Sequence, residues 1–303
     1  WGVSGNSAIR PYQTLGGLGR STYSFGETAA FGYFPLSVSN PDLTWEKTAT
    51  SNVGLDFGIL KSRIYGSLNV YQSNTSDLLL ERLLPGSSGF ESVIQNVGKT
   101  KNVGVELEIS SVNIAPKTPR GFKWSSDLTF SLNREEIVQL TGGADRDLGN
   151  GWIVGQPTQV FYDYQKIGIW QTNEADQAAT YGQMPGDIKV LDVNNDGKIT
   201  ADDDRVVVGT LRPDFSFGLN NTVSFLNFDL SAFLYGRIGQ TIRSEASGNY
   251  KIDGRENGPL VDYWTPENPT NDHPRPDKNK NQNSTYMSTL YYVDGAFVKI
   301  KNI

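Results

Sequence analysis

Apolar and polar residues alternate with a period of two along much of this chain, which is the pattern of β-strands with one apolar face. In the clearest stretch, Val53, Leu55, Phe57 and Ile59 are separated by Gly and Asp residues. Six stretches are predicted to be strands on this basis: 52–59, 63–71, 103–109, 124–132, 215–225 and 228–238. The last two are separated by two residues and form the strongest predicted hairpin. A short helix is predicted at 173–181.

The connections between these strands alternate between short turns, such as 115–120, and long polar segments rich in Gly and Pro. The long segments cover 7–50, 73–102, 134–213 and 241–291. Such loops are uncommon in a compact soluble domain. Outer-membrane barrels have short periplasmic turns at one end, long extracellular loops at the other, and strands of about ten residues. The predicted fold is therefore all-β, as part of a large antiparallel transmembrane β-barrel with long extracellular loops.

The composition excludes several functional classes. Of the 303 residues, 37% are hydrophobic and 20% are charged, which is typical of neither a disordered chain nor a helical membrane protein. No apolar run approaches 18 residues, which excludes a transmembrane helix but not a transmembrane barrel. A net charge of −6 without a basic cluster argues against a nucleic-acid partner. The absence of Cys removes disulfides, cysteine nucleophiles and thiolate metal sites.

Several short motifs, taken in order along nearly the whole chain, resemble the C-terminal barrel portion of SusC/RagA-type TonB-dependent outer-membrane transporters. They are Trp1-Gly2-Val3-Ser4-Gly5-Asn6, Asn40-Pro41-Asp42-Leu43-Thr44-Trp45-Glu46-Lys47-Thr48, Asp77-Leu78-Leu79-Leu80, Gln95-Asn96-Val97-Gly98, Asn102-Val103-Gly104-Val105-Glu106-Leu107, Pro185-Gly186-Asp187-Ile188-Lys189 and Asn227-Phe228-Asp229-Leu230-Ser231-Ala232-Phe233. Each motif is weak alone, but the ordered set is specific to this family.

The resemblance implies a barrel of about 22 strands with a plug in its lumen, set in the lipid bilayer of a Gram-negative outer membrane. It also implies import driven by TonB, a SusD-like surface lipoprotein as partner, and a nutrient ligand that is a glycan fragment or a peptide. The chain starts at Trp1, and its last residues, 297–303, read as a strand that stops mid-pattern. We therefore expect residues 1–303 to form part of one barrel domain, with the plug and the terminal strands outside them.

One acidic segment has the spacing of an EF-hand calcium loop. Asp192, Asn194 and Asp196 supply oxygens at loop positions 1, 3 and 5, a Gly follows at position 6, and Asp203 takes position 12. The carbonyl oxygen of Lys198 would supply position 7. The alternative is an Asp- and Asn-rich turn without an ion. Because three carboxylates in one tight loop repel each other, we predict a structural calcium site.

Other titratable residues are interpreted structurally. Glu106 and Glu108 share one strand face, as an acid/base pair would, but charged residues lining a water-filled lumen explain them better. Glu135 and Glu136 are interpreted as solvated residues at a strand end. His273, the one His in the chain, is interpreted as a loop residue.

Aromatic residues cluster at 161–164 and Trp170, and again at Tyr263 and Trp264. They fit either a platform for sugar or peptide ligands, or a structural role in the interfacial girdle of a barrel or in the core of the loops, and the structural interpretation is favoured.

The predicted function is non-enzymatic import, because no catalytic motif is recognisable. The alternative is a secreted β-rich protein that binds or hydrolyses glycans and carries a dockerin-like calcium loop. That protein would be soluble in water and would have a cleft with paired carboxylates. A surface adhesin would instead show tandem repeats, which the sequence lacks.

Overall fold

Strands dominate the structure, a computed structural model that describes residues 1–6, 9, 12–118, 120–280 and 285–303. Some residues of the predicted long segments (7–8, 10–11 and 281–284) and Pro119 of a predicted turn lie outside this part. In the described residues, no helix is long and apolar enough to cross a membrane.

The strands alternate with turns and loops along the entire described chain. They are β1 (Gly2–Asn6), β2 (Leu18–Phe25), β3 (Thr28–Pro35), β4 (Glu46–Ile59), β5 (Ile64–Ser76), β6 (Leu79–Leu83), β7 (Ser92–Asn96), β8 (Gly98–Ile114), β9 (Lys123–Leu140), β10 (Arg146–Asp147), β11 (Trp152–Ile153), β12 (Val160–Tyr164), β13 (Lys166–Ile169), β14 (Ile188–Val190), β15 (Arg205–Thr210), β16 (Phe215–Phe225), β17 (Phe228–Ile238), β18 (Thr241–Arg243), β19 (Tyr292–Asp294) and β20 (Phe297–Asn302). Helical segments are short: α1 (Ala175–Thr180), α2 (Glu245–Gly248), and 3-10 turns at Gln13–Leu15, Gly86–Ser88, Thr141–Gly143, Thr172–Glu174 and Met287–Tyr291.

Eight strands form one sheet in the order β1-β4-β5-β8-β9-β16-β17-β20, so spatial neighbours follow each other in the chain apart from the elements inserted between them. The sheet is not closed, and β1 and β20 form its two edges. Tight turns join β4 to β5, β8 to β9 and β16 to β17, whereas long connections join the other neighbouring pairs. This alternation confirms the predicted pattern of short turns and long segments.

Across the middle of the sheet, the paired strands place apolar side chains on one face and mainly polar residues on the other. One row across five strands contains Leu55, Leu68, Leu107, Phe130 and Phe217. The adjacent row, on the opposite face, contains Gly54, Asn69, Glu106, Ser131 and Ser216. Leu55 is 60% exposed, so no second layer covers its part of the apolar face. A soluble sandwich would bury this face.

A small polar network interrupts the apolar face near the tight turns. The Ser126 hydroxyl donates to Asn221 Oδ1 (2.6 Å), and Trp124 Nε1 donates to the same oxygen (3.1 Å). Asn113 Nδ2 donates to Ser126 Oγ (2.7 Å), and the Ser111 hydroxyl donates to Asn113 Oδ1 (2.9 Å). These side chains satisfy one another's hydrogen-bonding groups within the sheet. The hydrophobic pattern does not reveal this network.

Three of the motif segments meet in the hairpin region beside β4. Asn96 Oδ1 accepts from the Thr44 backbone N–H (2.9 Å), while its Nδ2 donates to the carbonyl oxygens of Thr44 (2.9 Å) and Asp77 (2.7 Å). Asn40 Nδ2 donates to the Ile94 carbonyl oxygen (3.0 Å). Where the chain leaves the sheet, side-chain amides thus supply hydrogen bonds to backbone groups that a neighbouring strand would otherwise supply.

The start of β8 requires a residue without a side chain. Gly98 has φ +145°, and a Cβ atom there would overlap the carbonyl oxygen of Gln139 on β9. Only Gly adopts this conformation at low cost. By contrast, a Cβ on Gly86 would meet no atom within 4 Å.

The chain divides into two structural units. The sheet unit comprises Trp1–Thr158, Phe215–Tyr235 and Lys299–Ile303, and the inserted unit comprises Gln159–Asp214 and Gly236–Val298. In the sheet unit, Val97, Ile137, Leu140 and Trp152 form a small buried cluster. The core of the inserted unit consists of Ile169, Ile188, Val190, Tyr250, Ile252, Trp264, Met287 and Leu290. The inserted unit therefore has a hydrophobic core of its own.

Four of the predicted strands were too short: β4 begins at Glu46 rather than at 52, β5 ends at Ser76 rather than at 71, and β8 and β9 are longer at both ends. The strands β8 and β9 extend well into segments predicted as loops, so Glu135 and Glu136 lie inside β9 rather than at a strand end. Glu136 faces Lys101 of β8 at 3.5 Å, and Glu135 Oε1 accepts from the Thr158 hydroxyl (3.0 Å). Cross-strand partners hold these charges in extended structure. The short helix predicted at 173–181 is confirmed by α1 and the 3-10 turn before it.

Candidate functional site

The polar face of the sheet carries a shallow groove of about 390 Å³. Glu106 and Glu108 line one part of it, and Tyr235 and Lys301 line another. The Lys301 ammonium group lies 5.6 Å from the centre of the Tyr235 ring. The predicted placement of both glutamates on the polar face is confirmed. The groove offers carboxylates, hydroxyls and one cation, which suits hydrogen bonding to a polar molecule.

A second cavity of about 340 Å³ lies beside the hairpin formed by β6 and β7. Arg82 and Arg146 line it with Leu140, Asp147 and Trp152. Arg82 Nε lies 3.6 Å from Asp147 Oδ2, and Trp152 is buried. The cavity combines an aromatic floor with guanidinium donors, a combination that can hold carbonyl, carboxylate or hydroxyl oxygens. No sequence motif marked these residues.

The acidic loop predicted to bind calcium forms one tight turn in the inserted unit. The Asp192 carboxylate reaches across the turn, because its Oδ2 accepts from the Gly197 backbone N–H (2.9 Å). Asn194 Oδ1 accepts from the Asp196 N–H (3.1 Å), and Asp196 Oδ1 accepts from the Lys198 N–H (2.8 Å). The structure thus brings four of the five predicted ligand residues into one turn.

The fifth predicted ligand, Asp203, forms its side-chain hydrogen bond outside this turn. Its Oδ2 accepts from the Thr200 hydroxyl (3.0 Å). The neighbouring Asp204 is 1% exposed, and its two oxygens accept from the N–H groups of Val193 (2.8 Å) and Thr200 (2.7 Å). Asp204 therefore closes the loop, a role that the EF-hand spacing did not indicate. In the described part of the chain, no three Asp, Glu, His or Cys side chains already converge as a metal cluster.

Asp192 combines burial with one oxygen that has no hydrogen-bond partner. It is 9% exposed, and its Oδ1 is buried without a hydrogen-bond partner. The Tyr181 hydroxyl donates to its Oδ2 (3.1 Å). Burial acts to raise the pKa of Asp192, but hydrogen bonds from the Gly197 N–H and the Tyr181 hydroxyl hold the pKa below its usual value. Asp192 therefore stays ionised inside the loop.

The Pro185-Gly186-Asp187 motif has a structural role, through the packing of Gly186 and the ion cluster around Asp187. Asp187 is 7% exposed, and its Oδ1 lies 2.8 Å from Lys280 Nζ and 3.4 Å from Arg275 Nε. A Cβ on Gly186, which has φ +88°, would press on Arg275 and Trp264. The motif thus joins two distant parts of the inserted unit.

The two tryptophans of the predicted aromatic clusters are buried in the inserted unit. Trp170 is 2% exposed and Trp264 is 5% exposed. Their indole N–H groups donate to Gln183 Oε1 (2.6 Å) and Gln171 Oε1 (2.9 Å). Tyr263 is 40% exposed. The two tryptophans therefore serve packing, as the favoured interpretation predicted, and neither offers a face to a ligand.

His273 lies in a loop of the inserted unit, as predicted. Its carbonyl oxygen accepts from the Trp264 N–H (3.0 Å), and its ring packs edge-on against Tyr250 with centroids 5.2 Å apart. Burial raises the pKa of the Tyr250 hydroxyl to about 12. The histidine ring is therefore part of the packing around Tyr250.

An ion pair beside Trp170 ties the 3-10 turn before α1 to β14. Lys189 Nζ lies 2.7 Å from Glu174 Oε1 and 4.3 Å from the centre of the Trp170 ring. The hydrogen bond from Lys189, together with one from the Gln171 N–H, holds the pKa of Glu174 below its usual value. This pair stabilises the fold when Glu174 is ionised.

Comparison with known proteins identifies the family. A family model described as "TonB dependent receptor-like, beta-barrel" matches residues 7–158. The chain belongs to this TonB-dependent receptor β-barrel family. The resemblance to SusC/RagA-type transporters is confirmed, as is the all-β fold of a partial barrel.

Relatives within the TonB-dependent receptor family cover the whole chain. TonB-dependent receptor P26 of Formosa agariphila is 34% identical over 100% of this chain and 32% of that protein. TonB-dependent receptor SusC of Bacteroides thetaiotaomicron is 31% identical over 80% of this chain and 25% of that protein. The RagAB peptide transporter structure has a TM-score of 0.75 and 25% identity, covering 99% of this chain and 32% of that chain. The chain therefore spans between about a quarter and a third of the length of these proteins.

Proposed function

We propose that the whole protein imports a nutrient ligand through the outer membrane of a Gram-negative bacterium, and that this chain supplies part of the barrel wall. The apolar face of the sheet contacts lipid, and the polar face lines the lumen. The long connections lie on the extracellular side. The ligand is a glycan fragment or a peptide.

The two-faced, single-layered sheet is the observation that carries this proposal. On β9, one face runs from Trp124 through Leu128 and Phe130 to Arg134. These ten steps span about 34 Å of strand at about 3.4 Å per residue. A strand tilt of about 40° reduces this to about 26 Å along the membrane normal, which matches the apolar band of outer-membrane barrels. An aromatic and a cationic residue thus bracket a span of one hydrocarbon core.

The same observation disfavours a secreted, soluble protein. Such a protein would leave residues such as Val53 and Leu55, which are 75% and 60% exposed, bare in water. The matching family model and the similar proteins are also TonB-dependent receptors rather than enzymes. Import without catalysis is therefore the function that the fold and the family support together.

The proposed partners are a SusD-like surface lipoprotein and TonB. Similarity to SusC and to the RagAB peptide transporter supports this proposal. TonB would act through segments beyond this chain. Surrounding lipid is the remaining partner, and nucleic acid is not expected, given the net charge of −6.

Uptake by cells tests the function. A strain lacking the full-length gene is compared with the same strain complemented by it, using fluorescent oligosaccharides in one arm and fluorescent oligopeptides in the other. Complementation is expected to restore uptake in one arm, and a protonophore is expected to abolish it. Deletion of the neighbouring lipoprotein gene should also reduce uptake. Failure to restore either arm, or uptake insensitive to the protonophore, would contradict the proposal.

A further inference from the structure

The acidic loop of the inserted unit concentrates negative charge that the surrounding residues do not neutralise. Between Asp192 and Asp204 there are five Asp and one Lys, for a net charge of −4. None of the ion pairs found among the described residues involves these carboxylates. Arg205, which follows directly, lies over the Tyr164 ring at 5.2 Å. Carboxylates this close repel each other unless a cation compensates.

A buried, unpartnered oxygen independently indicates a ligand. Asp192 is 9% exposed, and its Oδ1 has no hydrogen-bond partner. Both oxygens belong to one carboxylate, and Oδ2 bonds to the Gly197 N–H across the turn, so Oδ1 lies beside the same turn. A buried ionised oxygen without a partner is costly. A metal cation is the partner that a carboxylate in this position lacks.

We propose that this loop binds one calcium ion through oxygens of Asp192, Asn194, Asp196 and Asp203 and the carbonyl oxygen of Lys198. All five groups are hard oxygen ligands, which calcium prefers. The Asp203 side chain must exchange its bond to the Thr200 hydroxyl for the ion. The proposal does not depend on which ligand the protein imports.

Asp204 is not a ligand in this proposal but holds the loop closed. Both of its oxygens already accept backbone N–H groups, from Val193 and Thr200, at 2.8 and 2.7 Å. The loop connects β14 to β15, so a bound ion would fix the path between these strands. Through the Tyr181 hydroxyl on Asp192, the ion would also hold the ring that stacks on Trp170.

Calcium binding to the full-length protein in detergent tests the site, with calcium chloride as the probe and equilibrium dialysis as the measurement. One ion per chain is expected at this loop, with a Kd at or below about 1 mM. Asp196→Asn should weaken binding by at least about tenfold, since Asn keeps the bond to the Lys198 N–H but loses the charge. Asp202→Asn is the matched control: it removes the same charge from an exposed position in the same loop. This control should change the Kd by less than about threefold.

Asp203→Glu separates a true EF-hand site from a diffuse acidic patch. A Glu at position 12 reaches the ion with both oxygens, so this variant should bind calcium more tightly than the natural chain. Equal weakening by Asp196→Asn and Asp202→Asn, or no gain with Asp203→Glu, would overturn the proposal. Absence of loop-dependent binding at about 5 mM calcium, well above the Kd expected for such sites, would also overturn it.

Trypsin gives a second readout at the loop itself. Calcium should slow cleavage after Lys198 and Arg205, which lie within and directly after the loop. Cleavage after Lys117, in the turn between β8 and β9, should not change. Protection of all three sites alike would contradict a local ion.

Discussion

Arginine on the apolar face of β9 should destabilise the barrel, whereas arginine one residue away should not. Leu128 pairs with Ile109 and Leu219, so its side chain belongs to the apolar face. Thr129 pairs with Glu108 on the polar face. Leu128→Arg therefore places a cation in lipid, and Thr129→Arg places it beside a carboxylate.

The depth of Leu128 gives the expected magnitude. Leu128 lies four residues from Trp124, which corresponds to about 14 Å of strand. At a strand tilt of about 40°, Leu128 lies about 10 Å from Trp124 along the membrane normal, which is close to the midplane of an apolar band about 25 Å tall. Arginine at the midplane costs about 2 to 4 kcal/mol. The folding equilibrium should therefore shift by about 30-fold to about 900-fold.

Urea titration of the full-length protein in lipid vesicles measures this difference. The folded fraction is followed by the mobility of unheated samples in gel electrophoresis. Leu128→Arg should lower the urea midpoint strongly, and Thr129→Arg should leave it within the range of ordinary surface substitutions, about 0.5 kcal/mol. Equal effects of the two substitutions, or a larger effect at Thr129, would refute the assignment of the faces.

Substitutions at Gly98, Asp187 and Glu174 test three local contacts of the fold. Gly98→Ala should destabilise the pairing of β8 and β9 by about 3 kcal/mol, because the backbone would be strained and the new Cβ atom would overlap the Gln139 carbonyl oxygen. The loss should appear as a lower urea midpoint. The control, Gly86→Ala, should have little effect. Asp187→Asn should lower the stability of the inserted unit by about 2 kcal/mol. This is less than the loss of a fully buried ion pair, because Arg275 and Lys280 are partly solvated. Pulse proteolysis measures the loss, and Asp176→Asn, at an exposed position, is the control. The pKa of Glu174 is lower in the folded state than in the unfolded state, where it is about 4.3, so the ionised carboxylate stabilises the fold. This contribution is fully present above the unfolded-state pKa and is lost as the pH falls through the folded-state pKa. Glu174→Gln should therefore flatten the acid side of the pH–stability profile, and an unchanged profile would contradict the role of this ion pair.

The alternation of side chains was sufficient to predict the centre of the sheet. The hairpin of β16 and β17 has the predicted bounds, because its register depends on a two-residue turn and a strict period of two. The ends of β8 and β9 were missed, since charges such as Lys101 and Glu136 break the pattern. Those charges are held in strands by pairing with each other, which a single stretch of sequence does not show.

The inserted unit was harder to predict because its contacts are distant in sequence. Ile169, Trp264 and Met287 share one core, yet Ile169 and Met287 lie in short elements and Trp264 lies in a loop, so none belongs to a long periodic pattern. The EF-hand spacing identified the acidic loop, because that signal is local. It did not identify Asp204 as the residue that closes the loop, because this depends on backbone geometry rather than on spacing.

The alternation of lipid and water contact along β9 tests the central claim most directly. Single spin labels are placed at each position from 128 to 133 of the full-length protein in lipid bilayers, and collisions with oxygen and with a water-soluble nickel chelate are measured. We predict that labels at Leu128, Phe130 and Leu132 collide mainly with oxygen, and that those at Thr129 and Ser131 collide mainly with the chelate. Equal access of the chelate to both sets would contradict the account, because both faces of the sheet would then contact water.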